Sequence, residues 1–178
     1  IRASGKKLKE FMERDLGEYD IAAIFIDGKH FAGNEVVIAL GITVTGEKVL
    51  LGMVETNTEN NVVCKQFLLG LKDRGLNLDK EILFILDGGK GLNKSVRDVM
   101  GERALIQRCQ WHKRENVVSY LDKKLQNAFR RKLQAAYNLP TYDKAKDRLN
   151  SIGRELKLIN KSALESLFEG LEETLTLH

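Results

Sequence analysis

Twice in this chain a short apolar run ends in an aspartate that is followed at once by glycine. The first is Ile21-Ala-Ala-Ile-Phe-Ile-Asp27-Gly28, and the second is Ile82-Leu-Phe-Ile-Leu-Asp87-Gly88-Gly89. Continuous apolar runs this short, bounded by turn residues, read as buried strands of an α/β sheet. Each aspartate then closes a strand at its carboxyl end, the edge where open α/β sheets place ligands and chemistry. One Asp-Gly is an ordinary turn signal. Two of them make the order of strands in the sheet the decisive question.

The segments between them answer it. Residues 5–16 carry Leu8, Phe11, Met12 and Leu16 at helical spacing and predict a lead-in helix. The strand at 21–27 is followed by a Gly33-Asn34 turn and a β-branched run from Val36 to Val44. A Thr45-Gly46-Glu47 hairpin signal then leads back along Lys48 to Glu55. Three strands joined this tightly are antiparallel neighbours. Thr56-Asn57-Thr58 supplies capping residues for a helix over about 59–74, with Val63, Phe67 and Leu71 at steps of four, and Gly75 ends it. A helical crossover makes the strand at 82–87 parallel to the first. A helix over 91–100 and a short strand over 103–107 follow.

From Trp111 the spacing predicts one long helix to about Asn138, stopped by Pro140, the only proline. Two further helical stripes run Ala145 to Ile159 and Leu164 to Leu175, and these read as core packing. The fold class expected is α/β: a ribonuclease-H-like mixed five-stranded sheet of order 3-2-1-4-5 with a C-terminal all-helical segment. The organisation expected is a lead-in helix over 1–18, a catalytic core over 19–138 and part of a helical insertion over 139–178.

In that strand order Asp27 and Asp87 end on adjacent parallel strands, about 5 Å apart. Carboxylates that close repel unless a cation lies between them. Hard divalent cations such as Mg²⁺ take oxygen ligands and are held through one or two carboxylates plus substrate phosphates. Glycine behind each aspartate leaves room for a phosphodiester backbone. Lys29, beside His30, and Lys90 stand just beyond the two aspartates, where a phosphate would lie.

Charge marks a second region. Residues 108–132 hold Arg108, Lys113, Arg114, Lys123, Lys124, Arg130, Arg131 and Lys132 against Glu115 and Asp122, a local +6 in a chain of net +4. Such a segment is either a solvated helix face or a surface that tracks nucleic-acid phosphates. At its start, Cys109-Gln-Trp-His112 has half the spacing of a zinc site, and neither Cys64, His30 nor His178 supplies a convincing second half. Without metal, Cys109 reads as a small buried apolar residue, His112 as a group bonding at the helix start, and Trp111 as core or as a base-stacking platform. Two cysteines give no disulfide framework and favour a reducing, intracellular setting. No window approaches the roughly 18 apolar residues of a membrane span.

Phe25-Ile-Asp-Gly28, Leu86-Asp-Gly-Gly-Lys-Gly-Leu92 and above all Gln107-Arg-Cys-Gln-Trp-His-Lys-Arg-Glu-Asn116 resemble the catalytic region of Mutator-family transposases, in their bacterial insertion-sequence branch. The resemblance covers about residues 10–178. It implies a ribonuclease-H-like fold with an Asp-Asp-Glu triad that binds two Mg²⁺ or Mn²⁺ ions. It also implies that the protein cuts the ends of a mobile DNA element and joins them to target DNA. Asp27 matches the family's first triad aspartate and Asp87 its second; Cys109 and His112 match its Cys/Asp-x-x-His motif. The family's third acid, a glutamate in an Asn-x-x-Glu setting, has no counterpart after Asp87. The chain begins at Ile1 and closes in a helical pattern, so the expectation is a fragment, inactive alone, with the glutamate beyond His178. The partners implied are terminal-repeat and target DNA and further copies of the protein, in a cytoplasmic, nucleoid-associated setting.

Two other classes compete. A DNA-binding relative that kept the fold and lost the chemistry accommodates the missing glutamate, but not as readily the paired aspartates. An α/β phosphotransfer module would use a single strand-end aspartate, and the antiparallel opening counts against it, since doubly wound folds begin βαβ.

Overall fold

The computed structural model describes residues 2–31, 33–56 and 61–178. The chain divides into two compact units, residues 1–106 and 107–178, each with its own hydrophobic cluster.

The first unit opens with helix α1 (Arg2–Glu13), earlier than the 5–16 expected, and continues with β1 (Ile21–Phe31), β2 (Asn34–Thr43) and β3 (Lys48–Thr56). A turn with Gly33 at φ 89° joins β1 to β2, and Gly46 at φ 85° serves the β2–β3 hairpin. Helix α2 (Asn61–Asp73) follows; the capping residues expected at 57 and 58 lie outside the described residues. Gly75, at φ 92°, closes α2 with the bond pattern of a Schellman cap: its N–H reaches Lys72 O and the Leu76 N–H reaches Leu71 O. Then come β4 (Ile82–Leu86), α3 (Lys90–Met100), a 3-10 turn over Gly101–Arg103, and β5 (Ala104–Arg108).

The five strands form one mixed sheet in the order β3-β2-β1-β4-β5, as the connections predicted. β1 runs antiparallel to β2 and parallel to β4. Along β1, Ile21, Ile24 and Ile26 are buried with Phe67 and Leu71 of α2 and with Leu92 and Val96 of α3. Ile21 and Ile24 are an odd number of residues apart, yet both turn to this core because β1 carries an irregularity between Ile21 and Ala23. The opposite face is less covered. Phe25 there is 43% exposed, so β1 is not the fully buried strand its composition predicts.

The second unit holds α4 (Gln110–Ser119), α5 (Lys123–Tyr137), α6 (Tyr142–Lys157) and α7 (Lys161–Phe168), then a 3-10 turn over Glu172–Leu175. The single helix expected over 111–138 is two helices. The chain breaks at Tyr120–Asp122, Asp122 stands at the α5 N-cap position, and the Asn160 side-chain amide donates to Tyr120 O at 2.9 Å, satisfying a carbonyl at the break. The last apolar stripe is likewise not one helix. The α7 terminus at Glu169 is followed by Gly170 at φ 61°. Asn160 caps α7 by accepting from Ala163 N–H at 2.9 Å. No helix among the described residues is long and apolar enough to cross a membrane.

Candidate active site

The β1–β4 register pairs Phe25 with Ile85 and Ile26 with Leu86. That is the last printed rung of the pair: Asp27 continues β1, and Asp87 is the first residue after β4. Paired residues of parallel strands project to the same side, and neighbours along a strand alternate. Since Ile26 faces the α2/α3 core, Asp27, the next residue of β1, lies on the other face of the sheet, and Asp87 follows directly on the last residue of β4. Both are half-buried.

Each carboxylate has a local partner. Lys29, two residues on and on the same face, places its ammonium 2.8 Å from Asp27 Oδ2. Asp87 Oδ1 accepts the Gly89 N–H at 2.9 Å, which folds the loop back as α3 begins. Gly88 takes φ 105°, a conformation that a side chain would strain. Lys90, exposed, is the first residue of α3.

Asp27 and Asp87 are hard oxygen donors, the ligand type a divalent cation takes. Glu35 is close by sequence pairing and does not complete that set. A Cβ on Gly28 would meet Glu35 Oε1 at 2.7 Å, so this carboxylate lies over Gly28, one residue along from Asp27 and on the opposite face. Among the described residues no group of three or more His, Cys, Asp and Glu side chains is placed to hold a metal ion. The Cys109–His112 pair accordingly has no third donor there.

In the second unit, Cys109 occupies the α4 N-cap position without a side-chain capping bond and is half-buried. His112 sits in the first turn, its ring edge-on to Trp111 at 4.7 Å between centroids. Trp111 is 55% exposed and is not the core residue its size predicts.

The basic segment separates into three groups. Arg108 and Lys113 were expected on a DNA-facing surface, and the structure corrects this, because they are 6% and 0% exposed. Both donate to the Glu169 carbonyl at the end of α7, Arg108 through Nη1 at 2.8 Å; Arg108 Nη2 also meets Glu169 Oε2 at 3.2 Å. Burial, and then the Arg108 guanidinium, push the Lys113 ammonium down to about 8, with Glu169 opposing. Arg114 and Arg130 share the Glu115 carboxylate, at 3.0 and 2.9 Å, and Lys132 pairs with Glu155. Lys123, Lys124 and Arg131 are exposed and have no ion pair or hydrogen bond with any described residue.

A cavity that the sequence reading did not anticipate lies between α4 and α7. It measures about 560 Å³ and is lined by Asn116, Ser119, Tyr120, Ser162, Glu165, Ser166 and Glu169. These positions fall at steps of three and four on each helix, so each helix gives one polar face to the groove and its apolar face to the core. That spacing was visible in the sequence, but apolar stripes on the same helices drew the reading to packing alone.

Comparison with known proteins bears on both units. The family described as "Transposase, Mutator family" matches residues 3–178. The transposase for insertion sequence element IS905 of Lactococcus lactis is 27% identical, covering 99% of this chain and 46% of that protein. The transposase for insertion sequence element IS6120 of Mycolicibacterium smegmatis is 29% identical over 77% of this chain and 43% of its own length. That for ISRM5 of Rhizobium meliloti is 30% identical over 79% and 36%. The chain thus spans less than half the length of these relatives.

Proposed function

The chain belongs to the Mutator family of transposases, and on that footing we propose that it is part of the catalytic region of an insertion-sequence transposase. Its first unit is read as a ribonuclease-H-like core in which Asp27 and Asp87 hold Mg²⁺ or Mn²⁺, with two ions in the complete site. The third acid of an Asp-Asp-Glu set has no Asn-x-x-Glu counterpart after Asp87 in this sequence. The observation that carries the reading is the register, which runs through 25/85 and 26/86 toward the two aspartates.

Bound divalent ions supply activation of a water or 3′-hydroxyl and neutralisation of the leaving oxygen in phosphoryl displacement. The chain's own residues do the positioning. Asp27 and Asp87 fix the charge on one face of the sheet. Lys29, whose ammonium stands 2.8 Å from Asp27 Oδ2, would meet a non-bridging phosphate oxygen of bound DNA, and the α3 N-terminus with Lys90 would favour the same anion. Cleavage of element ends and their transfer to target DNA is the activity assigned. DNA contact on the second unit falls to Lys123, Lys124 and Arg131, and oligomerisation on DNA belongs to the same reading.

Titration of Mn²⁺ into the chain by calorimetry tests the site. Wild type is expected to bind, and Asp27→Asn and Asp87→Asn to lose the binding heat while keeping the far-ultraviolet dichroism. If both variants bind Mn²⁺ as wild type does, the site is elsewhere. Unimpaired end cleavage by a complete protein carrying Asp27→Ala or Asp87→Ala would overturn the catalytic assignment.

A further inference from the structure

The cavity between α4 and α7 is chemically unlike the aspartate pair and lies wholly within residues 107–178. Its volume of about 560 Å³ is within the range of small-molecule sites. Its lining is mostly polar and contains one aromatic ring, that of Tyr120, 52% exposed. Ser119 donates to the Asn116 carbonyl, whereas the Asn116 amide and the Ser162 and Ser166 hydroxyls make no hydrogen bond with described residues. These groups offer donors and acceptors on both walls. Glu165 and Glu169 add two acceptors, and Lys161, Arg108 and Lys113 pair with them, so the floor carries no uncompensated negative charge.

Such a lining selects strongly. An apolar ligand finds little to bury against. A flat ring with hydrogen-bonding edges suits it: Tyr120 provides a stacking surface, the Asn116 amide a paired donor and acceptor, and the glutamates acceptors for exocyclic amines. Cations neighbour the lining residues along the chain. Lys161 is next to Ser162 at the start of α7, and the free Lys123 and Lys124 follow Tyr120 by three and four residues.

The geometry points to a site for one unpaired nucleobase of single-stranded DNA, stacked on Tyr120, with its flanking phosphates on Lys161, Lys123 and Lys124. The assignment rests on the DNA reading above and deepens it: a duplex keeps its bases in the stack, so this pocket serves a strand that is open or has a base turned out.

Fluorescence anisotropy with a labelled single strand and the matching duplex tests it on the whole chain. Tyr120→Ala is expected to weaken single-strand binding about tenfold and leave duplex binding unchanged, because loss of one base–aromatic stack costs on that order. Tyr120→Phe retains the affinity, and Asn116→Ala weakens it without touching the duplex. A 2-aminopurine in the strand is quenched on binding to wild type and not to Tyr120→Ala. Trp111 emission and dichroism confirm that each variant is folded. Single-strand affinity unchanged in both Tyr120→Ala and Asn116→Ala, with duplex binding intact, overturns the base pocket alone. Equal weakening for strand and duplex also overturns it. Absence of binding to either DNA by wild type overturns the DNA reading and the pocket with it.

Discussion

Lys113 is a lysine folded into a core, and its cost should be measurable as a function of pH. Its side chain is fully buried, its ammonium donates to the Glu169 carbonyl, and Arg108 brings a second positive charge to the same acceptor. Burial and that neighbour lower its pKa from 10.5 to about 8. Below pH 8 both folded and unfolded chains carry the proton, so the folded state bears the whole penalty. As pH rises through 8 the folded state releases the proton while the unfolded state holds it to about 10.4. The unfolded chain then binds more protons, and stability increases with pH across that window. At about 1.4 kcal/mol per unit, the gain between pH 7 and 10.5 is about 3 kcal/mol.

Trp111, the only tryptophan, lies in α4 two residues from Lys113, within the second unit. Urea unfolding followed by its emission at pH 7, 8, 9 and 10.5, in reductant, should give free energies for wild type and Lys113→Met. Other groups titrate in the same range, so the difference between the two proteins is the quantity of interest. Wild type should gain about 3 kcal/mol on the variant from pH 7 to 10.5, with equal m-values. At high pH the neutral amine still donates to Glu169, whereas methionine cannot. Parallel curves, separated by the same amount at every pH, would refute the reasoning, since the ammonium would then be as well solvated folded as unfolded.

Two further outcomes follow from the first unit. Gly75→Ala should lower its stability by about 2 kcal/mol in hydrogen-exchange or dichroism-monitored unfolding, because φ is 92° and the new Cβ would meet Gly17 N at 3.0 Å; an unchanged midpoint would mean that the α2 cap relaxes freely. Lys29→Met should tighten Mn²⁺ binding by up to about fivefold in calorimetry, since the exposed pair with Asp27 is worth at most about 1 kcal/mol and competes for the same carboxylate; weaker binding would place Lys29 among the groups that assemble the site.

What could be read from the sequence and what could not divide along physical lines. Strand order followed from connection lengths: two tight turns, then a helical crossover, leave few arrangements, and β3-β2-β1-β4-β5 is the one found. The break at Tyr120–Asp122 was hidden because Val117, Leu121, Leu125, Phe129 and Leu133 keep their period of four across it, all packing into one core. Asp122 ahead of two lysines was the available sign, and the apolar periodicity outweighed it. The basic segment misled for a different reason. Charge counting cannot tell a solvated cation from one whose acceptor arrives from far along the chain, and Glu169 lies 61 residues after Arg108 and 56 after Lys113. Only packing makes that distinction.

The aspartate pair depends on a detail finer than strand order. A side-chain face is set by parity, so one residue more or less in β1 exchanges its core and solvent sets. Ile21 at one end and Ile24 and Ile26 at the other all face the core only because the register against β2 shifts between Ile21 and Ala23. That shift turns Asp27 away from α2 and α3. Without it, anchoring Ile21 in the core would send Asp27 inward among Leu92 and Val96, where an unpaired carboxylate costs several kcal/mol. The burial of Ile24 and Ile26 therefore opposes any slip that would turn Asp27 into the core. The outward placement of Asp27 is maintained by the hydrophobic core behind it, and so does not require a metal to be present for the sheet to form.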